Sequence, residues 1–131
     1  MKNLLFLGLL LITQSLFALI HCDSIDENIW LVGSTPGDEE IKSKLEIQPN
    51  VKVDFIKWDL KLEKSTIFVL KILYGESKPN TLGFVNGGQS SVIKGTYSIN
   101  DNGKSEIYHF NTGKMVISML KLNESLFQFL N

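Results

Sequence analysis

Between residues 56 and 62 the chain alternates without exception. Ile56, Trp58, Leu60 and Leu62 are apolar, and Lys57, Asp59 and Lys61 are charged. A period of two puts the apolar set on one face of an extended strand and the charged set on the other. Such a stretch needs a sheet with one covered face and one wet face. The neighbouring residues agree. Residues 66–74 (TIFVLKILY) are apolar on both faces except at Lys71, as expected of a strand in the middle of a sheet. Glu63-Lys64-Ser65 between the two runs has the length of a hairpin loop. Ala, the strongest helix former, is missing from every position after Ala18, while Val, Ile, Phe, Tyr, Trp and Thr are plentiful. Pattern and composition both predict a mainly β fold.

The remaining elements extend this picture. Residues 28–33 read as a first strand stopped by Gly33, with Trp30 expected in the core or plugging a barrel end. One short helix is expected over residues 36–46. Thr35 would cap it, Pro36 suits its first position, and Asp38 falls three residues after the cap. Ile41 and Leu45 share a face four residues apart, so this helix should lie on a sheet or cover a barrel mouth. Residues 75–91 form a long loop rich in Gly, Ser, Asn and Pro, either functional or a surface excursion pinned by Phe84. Strands are expected at 92–99, 105–110, 115–122 and 126–130. Asn100-Asp101-Asn102-Gly103 makes a strong hairpin turn, and Gly95 marks a bulge or a close-packing point. The expected architecture is an antiparallel meander of seven strands, forming a small barrel or a strongly curved sheet with one short helix. A seventh strand with a bare apolar edge is an aggregation hazard. Either it pairs with the first strand and closes a barrel, or a further C-terminal strand is missing, the reading the pattern favours.

The first 22 residues set the compartment. Lys2 precedes an apolar run over residues 4–12, and a mixed segment leads to Cys22. That is the layout of a secretory signal peptide. Gln14 and Ser15 interrupt the run, which is too short for a spanning helix of roughly 20 residues. Leu19 and Cys22 fit a lipoprotein signal, in which the Cys becomes acylated, although His21 stands where a small residue is expected. The alternative is cleavage after Ala18, leaving Cys22 as a lone thiol. Acylation is the favoured expectation, because Cys22 is the only Cys and an exposed unpaired thiol is a liability in an oxidising compartment. Expected localisation is therefore the periplasm or outer membrane, with contact to the membrane through a lipid anchor at Cys22. The 109 residues that follow make one β-rich domain over residues 23–131.

Chemistry is sparse. The 13 basic residues are all Lys, scattered among 14 acids. Without Arg there is no planar fork for phosphate or carboxylate, which argues against nucleic acid, and no nucleic-acid partner is expected. His109 is the only His after the leader, which leaves a triad or a His-based metal site without partners. The acids Asp38, Glu39 and Glu40 are explained by a helix start, and Asp54 and Asp59 fall on opposite faces of their strand. Asn123-Glu124-Ser125 is a glycosylation sequon that matters only in a host that glycosylates. No catalytic residue, metal site or cofactor is implied. Trp58, Phe68, Tyr74, Tyr97 and Phe110 could line the inside of a small barrel, where they would either fill it or surround one small ligand.

Several runs carry a resemblance: Ile29-Trp30-Leu31-Val32-Gly33, Thr35-Pro36-Gly37-Asp38, Asp54-Phe55-Ile56-Lys57-Trp58-Asp59-Leu60, and Tyr74-Gly75-Glu76 with Pro79-Asn80-Thr81. With these the chain resembles small uncharacterised envelope proteins of Bacteroidetes-type bacteria. The resemblance implies a further Gly-rich strand beyond residue 131. More distantly the architecture is similar to lipocalin-like and copper-stress lipoprotein (NlpE-like) barrels. The paired Cys motif of the copper-stress type is absent, so copper handling is not implied. The expectation is a non-enzymatic envelope protein that binds a small apolar ligand or an envelope partner. The alternatives are an interaction module with a filled core, using the 75–91 loop, and a hydrolase-type enzyme, which the missing motifs disfavour.

Overall fold

The computed structural model describes residues 27–124 and 126–130. The leader, Cys22 and Ser125 of the sequon lie outside the described residues. The alternating stretch is the second strand of a sheet. Strands β1 (Ile29–Pro36), β2 (Phe55–Leu62), β3 (Ile67–Gly75), β4 (Gln89–Asp101), β5 (Glu106–Asn111), β6 (Val116–Asn123) and β7 (Leu126–Leu130) follow one another in space as in sequence. Each pairs antiparallel with the next. Among the described residues the sheet has seven strands and curls into a half-barrel. It does not close: β1 and β7 are its two edges. Pairing of residues 126–130 with the first strand is therefore not observed.

Register explains which side chains fill the curl. Leu31, Leu60, Leu70 and Ile93 lie across four neighbouring strands at one level, and Leu62 and Phe68 pair at another. Ile56, Leu60, Leu62 and Phe68 are almost completely buried. Each such side chain contributes roughly 1.5–3 kcal/mol by leaving water. The core continues through Tyr97, Tyr108, Phe110, Ile117 and Met119 of the later strands. Aromatic edges meet inside it, with Phe68 and Phe110 5.1 Å apart at 72°.

The curl turns on β4. Residues from Gln89 to Thr96 pair with β3, and residues from Thr96 to Asp101 pair with β5. The strand thus changes partner at Thr96, and Gly95 sits at the corner. A Cβ there would meet the Asn111 carbonyl oxygen, and Cε1 of Phe68 at 2.8 Å. Gly95 is the close-packing point, where two backbones approach over a buried ring.

Two expectations need correction. The helix is shorter than residues 36–46: α1 spans Glu39–Lys44, and Pro36 ends β1. Asp38, not Thr35, is the cap, its Oδ1 accepting from the Ile41 amide at 2.9 Å. The cause is pairing: Thr35 and Pro36 continue the β1 ladder opposite Ile56 and Phe55. Glu39 and Glu40 reach forward to Lys42 and Lys44. Ile41 and Leu45 are buried in the main core, so α1 does cover the sheet's interior. Lys42 is 4% exposed and donates to Glu39 Oε1 and the Pro49 carbonyl. Trp30 is the second correction. It is 59% exposed, because it pairs with Lys61 on the outer face.

Candidate functional site

The unclosed side of the half-barrel is the most distinctive concavity. A cleft of about 390 Å³ lies between Ser34 and Thr35 of β1 and residues 126–129 of β7. The cap residue Asp38, Ile41 of α1 and Trp58 also line it. Strand direction defines what fits there. Every neighbouring pair is antiparallel, so β1 and β7, six steps apart, run parallel to each other. A strand bonding to both edges pairs with each in the same sense, and the antiparallel sense continues the pattern of the sheet. Such a strand would complete an eight-stranded meander, a size whose interior side chains can fill.

Trp58 is positioned by its neighbours. Gly33 lies opposite it across the β1–β2 ladder, and a Cβ at Gly33 would come within 2.9 Å of indole Cε2. The missing side chain lets the indole lie against β1. Its other side meets Phe129 of β7 edge-on, with centroids 6.5 Å apart at 88°. Trp58 therefore bridges the two edge strands from within. Its Nε1 is buried and has no hydrogen-bond partner among the described residues. A buried indole N–H normally finds an acceptor, and leaving one unmet costs about 1–3 kcal/mol. Lys44 fixes the far end of β7 by donating to the Leu130 carbonyl at 2.8 Å.

The five aromatics expected to line a barrel interior have different surroundings. Phe68, Phe110 and Trp58 come together with Phe129 around a void of only about 10 Å³. Tyr97 packs beside Phe110 and donates from its hydroxyl to the Glu63 carbonyl at 2.8 Å. Tyr74 is apart from them, buried at the end of β3 near Gly88. Tyr108 and Phe127 extend the aromatic layer. Burial, then the neighbouring Glu106 carboxylate, raise the Tyr108 phenol above its usual range. Among the described residues, side chains fill the space around Phe68, Phe110, Trp58 and Phe129.

The 75–91 stretch is tied down. Asp54 Oδ2 accepts from the Ser77 amide at 2.6 Å, Phe84 stacks on Phe55 at 4.4 Å, and Lys57 donates to the Leu82 carbonyl at 2.6 Å. Phe84 is buried, so the loop is pinned there, while Leu82 stays 85% exposed. The Ser77 amide holds the Asp54 carboxyl below its ordinary 3.8. A depressed folded value means the anchor is fully present above 3.8 and lost as pH falls through the lower folded value. The Ser77 amide resonance should therefore titrate with a midpoint under 3.8, and Asp54→Asn should abolish that titration. A midpoint at or above 3.8 would contradict the anchor.

His109 Nδ1 shares a 2.9 Å hydrogen bond with Ser118 Oγ, its cross-strand partner. The pair lies on the sheet's outer face, away from the cleft. No carboxylate contacts the ring among the described residues. The arrangement fixes the His109 side chain across the β5–β6 ladder.

Sequence reasoning named Trp58 but missed Phe129, Gly33 and the cleft itself. The alternation of Phe127 and Phe129 about Gln128 marked the inward face of β7. Nothing local marked its distance from β1. Compared with protein-family models, curated proteins and solved structures, the chain has no match.

Proposed function

We propose that the chain is a non-enzymatic protein of a bacterial cell envelope, exported by its leader and tethered at Cys22. On this reading it holds an extended polypeptide segment of an envelope partner along the seam between β1 and β7. The observation that carries it is the parallel direction of the two unpaired edges, separated by a cleft with Trp58 behind it. Strand addition to such edges gives affinity through main-chain hydrogen bonds and specificity through alternate side-chain positions. The filled interior favours a partner at the surface over a small apolar ligand inside. A small-ligand site needs on the order of several hundred Å³, against about 10 Å³ between the core aromatics. A second reading puts the contact on the 75–91 loop, because Leu82 is held outward at a braced tip.

A photo-crosslinking residue placed in cells at Gln128, Leu82 or Lys104 separates these readings. The seam reading expects one adduct from Gln128, mapping to an extended segment, and none from the Lys104 turn. An adduct from Leu82 alone transfers the contact to the loop. Equal yields from all three positions would sink both. Mass spectrometry on the same material reads the tether: a diacylglyceryl mass lost in Cys22→Ser supports it, and a chain beginning after Ala18 refutes it.

A further inference from the structure

The outward face of β1–β4 is separate from the seam and has a composition of its own. Register arranges it in cross-strand rows. Trp30, Lys61, Val69 and Lys94 form one row, and Val32, Asp59, Lys71 and Val92 form the next. Lys57 and Leu73 continue the pattern. Four lysines face two acids here, Asp59 and Glu63, the latter paired with Lys61 at 2.8 Å, in a chain whose net charge is −1. Many of the balancing acids sit elsewhere, on α1 and around Glu106 and Glu124 at the far turns. Three of the apolar members are exposed, Trp30 at 59%, Val32 at 76% and Val92 at 55%, and Val69 and Leu73 are half-buried. Lys61 holds its ammonium 5.6 Å above the Trp30 ring, and Lys71 and Lys94 point into solvent.

We propose that this face lies on an anionic lipid bilayer. The charge is complementary to acidic headgroups, and each lysine near such a surface adds to the attraction. The interleaving of apolar and cationic groups argues for lipid over an acidic protein. Trp30 and Val92 each lie opposite an ammonium, Lys61 and Lys71, and Val32 lies opposite Asp59 with Lys57 and Lys61 to either side of it, so the face sets hydrocarbon beside cations. The headgroup boundary supplies hydrocarbon and phosphate within one thin layer. An indole at the edge of the sheet suits that boundary, with its ring toward the acyl chains and its N–H in the wet layer. The proposed tether at Cys22 would reinforce this placement, since eight residues of extended chain to Trp30 reach at most about 29 Å. The face does not depend on it.

The test uses the full chain carrying Cys22→Ser, with vesicles of phosphatidylcholine alone or mixed equally with phosphatidylglycerol. Both lipids are used with and without brominated acyl chains, which quench nearby indoles. The leader is common to all variants, so partitioning that it drives does not distinguish them. On the mixed vesicles Trp30 should be quenched and its emission blue-shifted. Trp30→Phe should remove that component, leaving the signal of Trp58. Lys71→Glu with Lys94→Glu should weaken the charge-dependent binding by roughly tenfold or more, with the circular dichroism unchanged. Added salt at about 1 M should do the same to the wild type. Quenching that is equal on both vesicles, or untouched by the lysine reversals, overturns the proposal. Lysine-dependent binding of polyglutamate without quenching on vesicles would also overturn it, by making the partner an acidic polypeptide.

Discussion

Gly95→Ala should lower the stability of the domain by about 3 kcal/mol, at the upper end of what one added methyl costs in a packed interior. For a domain of this size that is a fall of roughly 15 °C in Tm. The reason lies in what the methyl would meet. The Asn111 carbonyl oxygen is its nearest neighbour, the Asn111 carbonyl carbon is 2.9 Å away, and Phe68 Cε1 is 2.8 Å away. None of these is the loose end of a flexible side chain. Asn111 is held in the ladder between Thr96 and Val116, and Phe68 is 1% exposed and locked against Phe110. Relief would require β4 to open at its corner and part β3 from β5. Gly83→Ala is the matched control. Its Cβ would meet only Thr81 Oγ1, at 3.4 Å on an exposed loop, so its effect should stay within about 0.5 kcal/mol. Urea unfolding of the two variants checks the contrast, and a loss at Gly95 no larger than at Gly83 would show that the corner yields.

The same corner shows what local pattern reveals. Seven strands and their order as a meander were legible, because β2 alternates cleanly and the Asn-Gly turns carry their own chemistry. Gly95 was marked as unusual, but its role depends on Asn111, sixteen positions later, and no window around Gly95 contains that residue. Trp30 was misplaced for a different reason. Ile29, Trp30, Leu31 and Val32 are all apolar, so the strand carries no phase of its own. Its phase comes from pairing with the alternating β2, which turns Leu31 toward Leu60 and Trp30 toward Lys61. Pro36 suited a helix start by local preference, yet ladder pairing with Phe55 kept it in β1. The candidate site was the least legible part. Its walls are the two ends of the sheet, which touch through no sequence pattern, and Gly33 matters only because Trp58 lies against it.

Phe68→Ala carries the other large effect and bears on function as well as stability. The side chain is 1% exposed and contributes to the inner layer beside Phe110 and Gly95. Its removal should cost about 3–5 kcal/mol through lost transfer energy and the cavity left behind. That cavity would join the void of about 10 Å³ among Trp58, Leu70, Phe110 and Met119. A cavity lined in this way stays dry and accepts small apolar molecules. Benzene or xenon should therefore raise the Tm of Phe68→Ala and leave the wild type unmoved. This pairing of results separates a fold able to house an apolar ligand from a chain whose own side chains occupy the room. If the wild type responds to benzene as strongly as the variant, its interior admits ligand, and a small apolar ligand inside is favoured over a partner at the seam. If only the variant responds, Phe68 itself is what keeps the half-barrel from acting as a carrier.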